Sequence, residues 1–183
     1  TFLSVVKREW SSFLPNLKKE AVKSLENNIC ENDFKDKYIK NLPSNLNFGI
    51  YLFIIKPNIG FNVSDFQKNW KSNSTPKKTP KISLMRFNIR DDSKTSFDFY
   101  IGKSENLSKR IKEHCFQKVK SSTYGLKLCH REQLIQNATF TVSYFEIAKS
   151  DYGDEKTKDI MQFIMTNLEK ELRNEFNPWV GKQ

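Results

Sequence analysis

The run Gly49-Ile-Tyr-Leu-Phe-Ile-Ile-Lys56 constrains this chain more than any other stretch. It is β-branched and aromatic, apolar at odd and even positions alike, and Pro57-Asn58-Ile59-Gly60 stops it. A strand that is apolar on both faces needs cover on both faces, so it reads as the central strand of a sheet. Phe97, Phe99 and Ile101 alternate with Asp98 and Tyr100 until Gly102 breaks the run, which is the period of a half-buried strand. Thr139–Ile147 reads as a further strand.

Helices flank these strands. After Gly102, Ser104 or Asn106 can cap a helix in which Leu107, Ile111 and Cys115 fall at i, i+4 and i+8. Arg110 and His114, also four apart, share a neighbouring face of it. Ile160, Phe163, Ile164, Leu168, Leu172 and Phe176 mark the apolar face of a long helix that ends before Asn177-Pro178. Residues 1–45 read as a helical extension: one helix up to Leu14, a second from Pro15-Asn16, and a short third through Phe34, Tyr38 and Ile39. Leu42–Asn45 is a turn. The order predicts an α+β domain over 46–183, with a small, mostly antiparallel sheet flanked by helices. Ile82–Ile89 alternates like a strand and predicts a hairpin into Phe97–Ile101. Ser122–His130 suits either a strand or a short helix.

Net charge is +10 and the pI about 9.4, which favours a polyanionic partner, nucleic acid before an anionic membrane. No apolar run approaches the roughly 18 residues of a membrane span. No leader peptide is visible in a chain that opens on Thr1. Cys30, Cys115 and Cys129 are odd in number and lack CxxC spacing, which argues against a disulfide framework or a structural zinc and for a reducing, cytoplasmic setting.

Gly49-Ile50-Tyr51 and Tyr100-Ile101-Gly102 resemble the two signature tripeptides of the GIY-YIG nuclease superfamily. Arg110-x-x-x-His114, Glu169-x-x-Leu172 and Pro178, nine positions after Glu169, resemble its remaining motifs and appear in the same order. The resemblance covers residues 49–181. It implies a metal-dependent endonuclease that hydrolyses double-stranded DNA to 5′-phosphate and 3′-hydroxyl ends. Tyr51 would be the base that activates water, His114 would orient it or relay its proton, and Tyr100 would contact the phosphate or the water. Glu169 would hold one Mg²⁺ or Mn²⁺ per active site. Lys103, directly after the second tripeptide, resembles the lysine of restriction-enzyme members. The chemistry of the residues agrees. A planar guanidinium such as Arg110 suits a phosphate oxygen, a carboxylate suits a hard cation, and a phenol can act as base only with help from positive charge or an imidazole.

Taken singly, each of these residues has a plainer reading. Either tyrosine could be a core aromatic, Arg110 a solvated charge, His114 a half-buried polar group, and Glu169 one of several acids (with Glu171 and Glu175) on a wet helix face. His130, Cys115 and Cys129 read as structural. Helical geometry argues against a His114–Cys115 dyad, because adjacent helix positions do not face each other.

Two departures stand out. Residues 57–96 form a basic insertion between the tripeptides, which tilts the resemblance toward type II restriction enzymes. In that insertion Ser72–Lys81 reads as a flexible loop, and Lys71, Lys77, Lys78 and Lys81 are the candidates to grip the DNA backbone. The family often has an Asn three positions after the proline, where Gly181 stands here. Cutting both strands favours a homodimer on DNA. The alternatives are a structure-specific repair or mobile-element nuclease, and a catalytically inactive nucleic-acid-binding module on the same scaffold.

Overall fold

β3 (Gly49–Pro57) runs through the interior of the sheet, as its two-sided pattern requires. It pairs antiparallel with β4 (Phe97–Ser104) on one side and with β5 (Ala138–Glu146) on the other. β5 pairs in turn with β1 (Ile29–Asp33), and β1 with β2 (Tyr38–Lys40). The five strands take the order β2-β1-β5-β3-β4, antiparallel throughout. The computed structural model describes residues 2–71, 78–119, 123–148 and 155–181.

The period of two divides β3 between two cores. Tyr51, Phe53 and Ile55 face a cluster with α4 (Leu107–Phe116), Phe66 and Trp70 of α2 (Val63–Lys71), Phe87 of α3 (Leu84–Asn88) and Trp179. Ile50 and Leu52 face the other way, onto α1 (Phe2–Asn27) and α6 (Glu155–Phe176). The remaining elements are a 3₁₀ turn at Leu128–His130 and α5 (Glu132–Asn137).

Three expectations from the sequence need correction. α1 is one helix that passes through Pro15 rather than two. Trp10, Leu14, Leu17, Ala21 and Leu25 lie on one stripe against the second core, and this shared burial outweighs the hydrogen bond and clash that an interior proline costs. The expected third helix through Phe34, Tyr38 and Ile39 is instead the β1–β2 hairpin. Asp33 Oδ1 accepts from the N–H groups of Lys35 and Asp36, and Lys37 takes a left-handed φ of 54°. The two strands join the main sheet through β5, so the first 45 residues are not only a helical extension.

The expected strand at 82–89 is mostly α3. Ser83, Arg86 and Phe87 are buried at i, i+3 and i+4, while Leu84, Met85 and Ile89 are exposed. Only Ile82 makes a strand-like bridge, and it does so with Val180. The β4 edge is therefore covered by the chain end and not by a hairpin. Trp179 N donates to Asp98 O (3.1 Å) and Val180 N to Phe99 O (2.9 Å), while Ser83 N donates to Trp179 O (2.8 Å) and Gly181 N to Lys81 O (2.9 Å). The described parts of the insertion, 57–71 and 78–96, thus form a packed layer, while the expected flexible loop falls mostly on 72–77, outside the described residues. Trp179 stacks on Phe97 (4.7 Å) and meets Phe87 edge-on (5.0 Å).

Candidate active site

The site is built where β3, β4 and α4 converge on the first core. Asn106 caps α4, its side chain accepting from Lys109 N (2.9 Å), and Ser108 ties the helix to the preceding turn through Pro43 O and Leu46 N. So fixed, α4 buries Leu107, Ile111, Cys115 and His114 completely. Tyr51 comes from β3, and its partner across the ladder is Gly102. A Cβ at Gly102 would overlap the Tyr51 hydroxyl and stand 2.7 Å from Cζ, so the glycine makes room for the phenol. Gly49 is equally confined: a Cβ there would collide with Phe145 O of β5 and come within 2.8 Å of Leu107 Cδ1.

Tyr51 Oη lies 2.7 Å from His114 Nε2. The other ring nitrogen, Nδ1, accepts the backbone N–H of Leu126 (3.0 Å). Nδ1 therefore carries no proton, and the neutral ring holds its proton on Nε2 and donates it to the phenol. Burial, with Arg110 adding to it, holds the His114 pKa well below the usual imidazole value. The Tyr100 ring stands 5.0 Å from that of His114 and 6.1 Å from that of Tyr51. Burial pushes the Tyr51 phenol well above the usual tyrosine value. Tyr100 adds to the rise, and the Arg110 guanidinium, which hydrogen-bonds Tyr51, opposes it. Tyr100 is raised mainly by burial, again against Arg110. Arg110 is itself held by Glu113 Oε2 (3.0 Å) and Tyr124 O (2.7 Å).

Glu169 sits on α6, across the sheet from α4, yet its charge bears on both phenols. Its carboxylate is 17 % exposed and accepts from Arg173 Nη2 at 2.5 Å. Among the described residues no group of three or more His, Cys, Asp or Glu clusters to hold a metal. An ion at Glu169 would thus have at most two His, Cys, Asp or Glu ligands among the described residues. That fits Mg²⁺ or Mn²⁺, which keep several waters and take substrate phosphate as ligands, and does not fit a metal that needs a full protein cage.

The tyrosines, Arg110 and His114 come together; Lys103 does not join them. It pairs with Ile50, one position past Gly102, so it projects to the opposite face, where Nζ donates to Gln162 Oε1 (2.7 Å). Gln162 in turn donates to Glu105, which pairs with Lys158 (2.8 Å). Gly181, with a φ of +126°, lies over the Tyr100 ring; a Cβ there would be 3.6 Å from Cε2. It brings backbone and no amide side chain to the place where the resemblance expects one. Lys78 and Lys81 are exposed in the insertion, Lys71 closes α2, and Lys77 lies outside the described residues.

Sequence reasoning missed Arg173, although its spacing of four from Glu169 is readable. It also missed Leu126 and Tyr124, which act through backbone atoms and leave no side-chain signal. Compared with protein-family models, with curated proteins and with solved structures, the chain matches none.

Proposed function

We propose that this protein is a metal-dependent endonuclease of the GIY-YIG type that hydrolyses phosphodiester bonds in double-stranded DNA, in the manner of a type II restriction enzyme. The observation that best supports this reading is the meeting of Tyr51, Tyr100, His114 and Arg110 from two strands and a helix, with the Glu169 charge acting on both phenols. His114 Nε2–H and the Arg110 guanidinium oppose the rise that burial imposes on the Tyr51 phenol, the kind of help a phenol needs to serve as base. Arg110 also offers its fork to a phosphoryl oxygen. A Mg²⁺ or Mn²⁺ at Glu169 would supply charge to the phosphate and the leaving oxygen. Lys71, Lys77, Lys78 and Lys81 would contact the backbone, and two copies on one duplex would cut both strands. A cytoplasmic setting suits the three free thiols.

The test is nicking and linearisation of plasmid DNA with Mg²⁺. Wild type should cut, chelation should stop it, and Glu169→Gln should lose at least about a hundredfold. Equal rates for wild type and variant would remove Glu169 from the site. One observation favours the inactive binding module instead: the Glu169 carboxylate is already engaged by Arg173. Salt-sensitive DNA binding with no cleavage in any divalent metal would decide for that reading.

A further inference from the structure

The Glu169 carboxylate, suited to a hard cation, already faces one. Arg173 Nη2, one turn further along α6, donates to Glu169 Oε1 at 2.5 Å. The side chains are 17 % and 16 % exposed, so water and salt screen this pair less than a surface one. A single nitrogen makes the bond. Glu169 Oε2 and Arg173 Nε and Nη1 have no hydrogen-bond partner among the described residues, and none of these atoms is enclosed. The pair therefore offers an oxygen that a cation can reach and N–H donors that a phosphate oxygen can reach.

The charges around the pair do not balance. Arg86 reaches the end of α6 from α3, its Nε donating to Pro178 O (2.7 Å). Burial, and after it the Arg173 charge, lower the Arg86 pKa below the usual guanidinium value, so the two guanidiniums act on each other. Two positive groups thus stand beside one carboxylate, and both oppose a divalent ion at Oε2. A phosphate reverses the balance. It brings the negative charge that this edge lacks, and it offers the Arg173 fork a partner other than Glu169. Cation and phosphate together suit the edge better than either does alone.

We propose that Arg173 is a latch on Glu169: in the free protein it holds the carboxylate against a divalent cation, and on DNA it turns its guanidinium to a backbone phosphate, so that cation and DNA bind cooperatively. This deepens the nuclease reading and rests on it. Arg173 is a positioning residue here, acting through Glu169.

The experiment uses the full chain and reads binding instead of cutting. Electron paramagnetic resonance counts free Mn²⁺ during titration of wild type, Arg173→Gln, Arg173→Lys and the double variant Arg173→Gln/Glu169→Gln. Each is titrated without DNA and then with a short duplex carrying phosphorothioate linkages, which resist hydrolysis; Mn²⁺ held by the duplex alone is subtracted. Circular dichroism should show every variant folded, because both side chains are partly exposed. Without DNA, Arg173→Gln should hold Mn²⁺ roughly tenfold more tightly than wild type, an ordinary size for a coupling. Arg173→Lys should stay near wild type, since one nitrogen makes the bond and lysine carries the same charge. The double variant should lose the gain. The duplex should raise the Mn²⁺ affinity of wild type about tenfold and that of Arg173→Gln several-fold less. An arginine that only braces α6 would leave Mn²⁺ affinity unchanged or lower it on removal. Either of those results in Arg173→Gln overturns the proposal, and plasmid cutting by wild type would then leave the nuclease reading standing. An equal gain from the duplex with and without Arg173 overturns the exchange onto phosphate and the latch with it. A gain kept by the double variant puts the ion elsewhere and also overturns the latch. All the expected shifts in a protein that cuts no plasmid keep the latch and remove the nuclease reading.

Discussion

Replacing Tyr51 by Phe removes one oxygen from a fully enclosed place, and its cost can be worked from the contacts. Tyr51 is 1 % exposed and His114 is 0 % exposed. The His114 Nε2–H donates to Tyr51 Oη at 2.7 Å, and the ring cannot turn to find another acceptor because Nδ1 is held by Leu126 N–H. The variant therefore strands a buried donor, at about 1–3 kcal/mol, instead of merely losing a net hydrogen bond of about 1 kcal/mol. For a chain of this length each kcal/mol moves Tm by about 2–4 °C, so a drop of roughly 2–12 °C is expected. Tyr100→Phe is the control. Its hydroxyl has no bond to the imidazole and interacts with Tyr51 instead, so the loss should stay near the net worth of one hydrogen bond, about 1 kcal/mol or less. Urea unfolding of the three proteins, with m-values checked for constancy, gives the numbers. Equal stability of wild type and Tyr51→Phe, or equal losses in the two variants, would refute the assigned tautomer and with it the donor role of His114.

Three further outcomes follow from the same geometry. The folded-state pKa of His114 lies well below the unfolded 6.5, so the unfolded chain takes up the proton first. Stability from this residue is then complete above about pH 6.5 and falls as pH drops through the window beneath, by up to about 1.4 kcal/mol per pH unit. His114→Gln should flatten that slope in urea titrations at several pH values. Gly102→Ala should destabilise by about 1–3 kcal/mol, read by the same denaturation, because the new methyl overlaps Tyr51. Trp179→Ala should cost about 3–5 kcal/mol, and hydrogen exchange should quicken across α2 and α3, whose Phe66 and Phe87 pack on the indole.

β3 was legible because its pattern was extreme: six consecutive apolar or aromatic residues, Ile50–Ile55, leave few alternatives to a central strand. α4 was legible because cap, period and the Arg110–His114 spacing agree with one another. Ile82–Ile89 was not, because in eight residues a strand alternation and a helical i, i+3, i+4 set coexist, and what decides between them is Trp179, ninety residues away in sequence. Pro15 misled for the same reason, since a long apolar stripe outweighs a local rule. The separation of Lys103 from the tyrosines across β4 was also legible. Gly102 pairs with Tyr51 and its immediate neighbour Lys103 with Ile50, so the two positions lie on opposite faces. The nearness of Arg86 to Arg173 lay beyond sequence reasoning, because the two residues are 87 positions apart with no shared motif.

The bonds around His114 also settle a matter of proton traffic. The ring presents its one hydrogen to Tyr51, and behind it stands a peptide N–H, a group with no lone pair to receive anything. Imidazole here is a cul-de-sac: it can polarise the phenol but has nowhere to send a proton. On the nuclease reading, a proton gained by Tyr51 must leave by the side through which it arrived. The enzyme would then be ready for another round only after the cut strand has withdrawn and water has reached the phenol again.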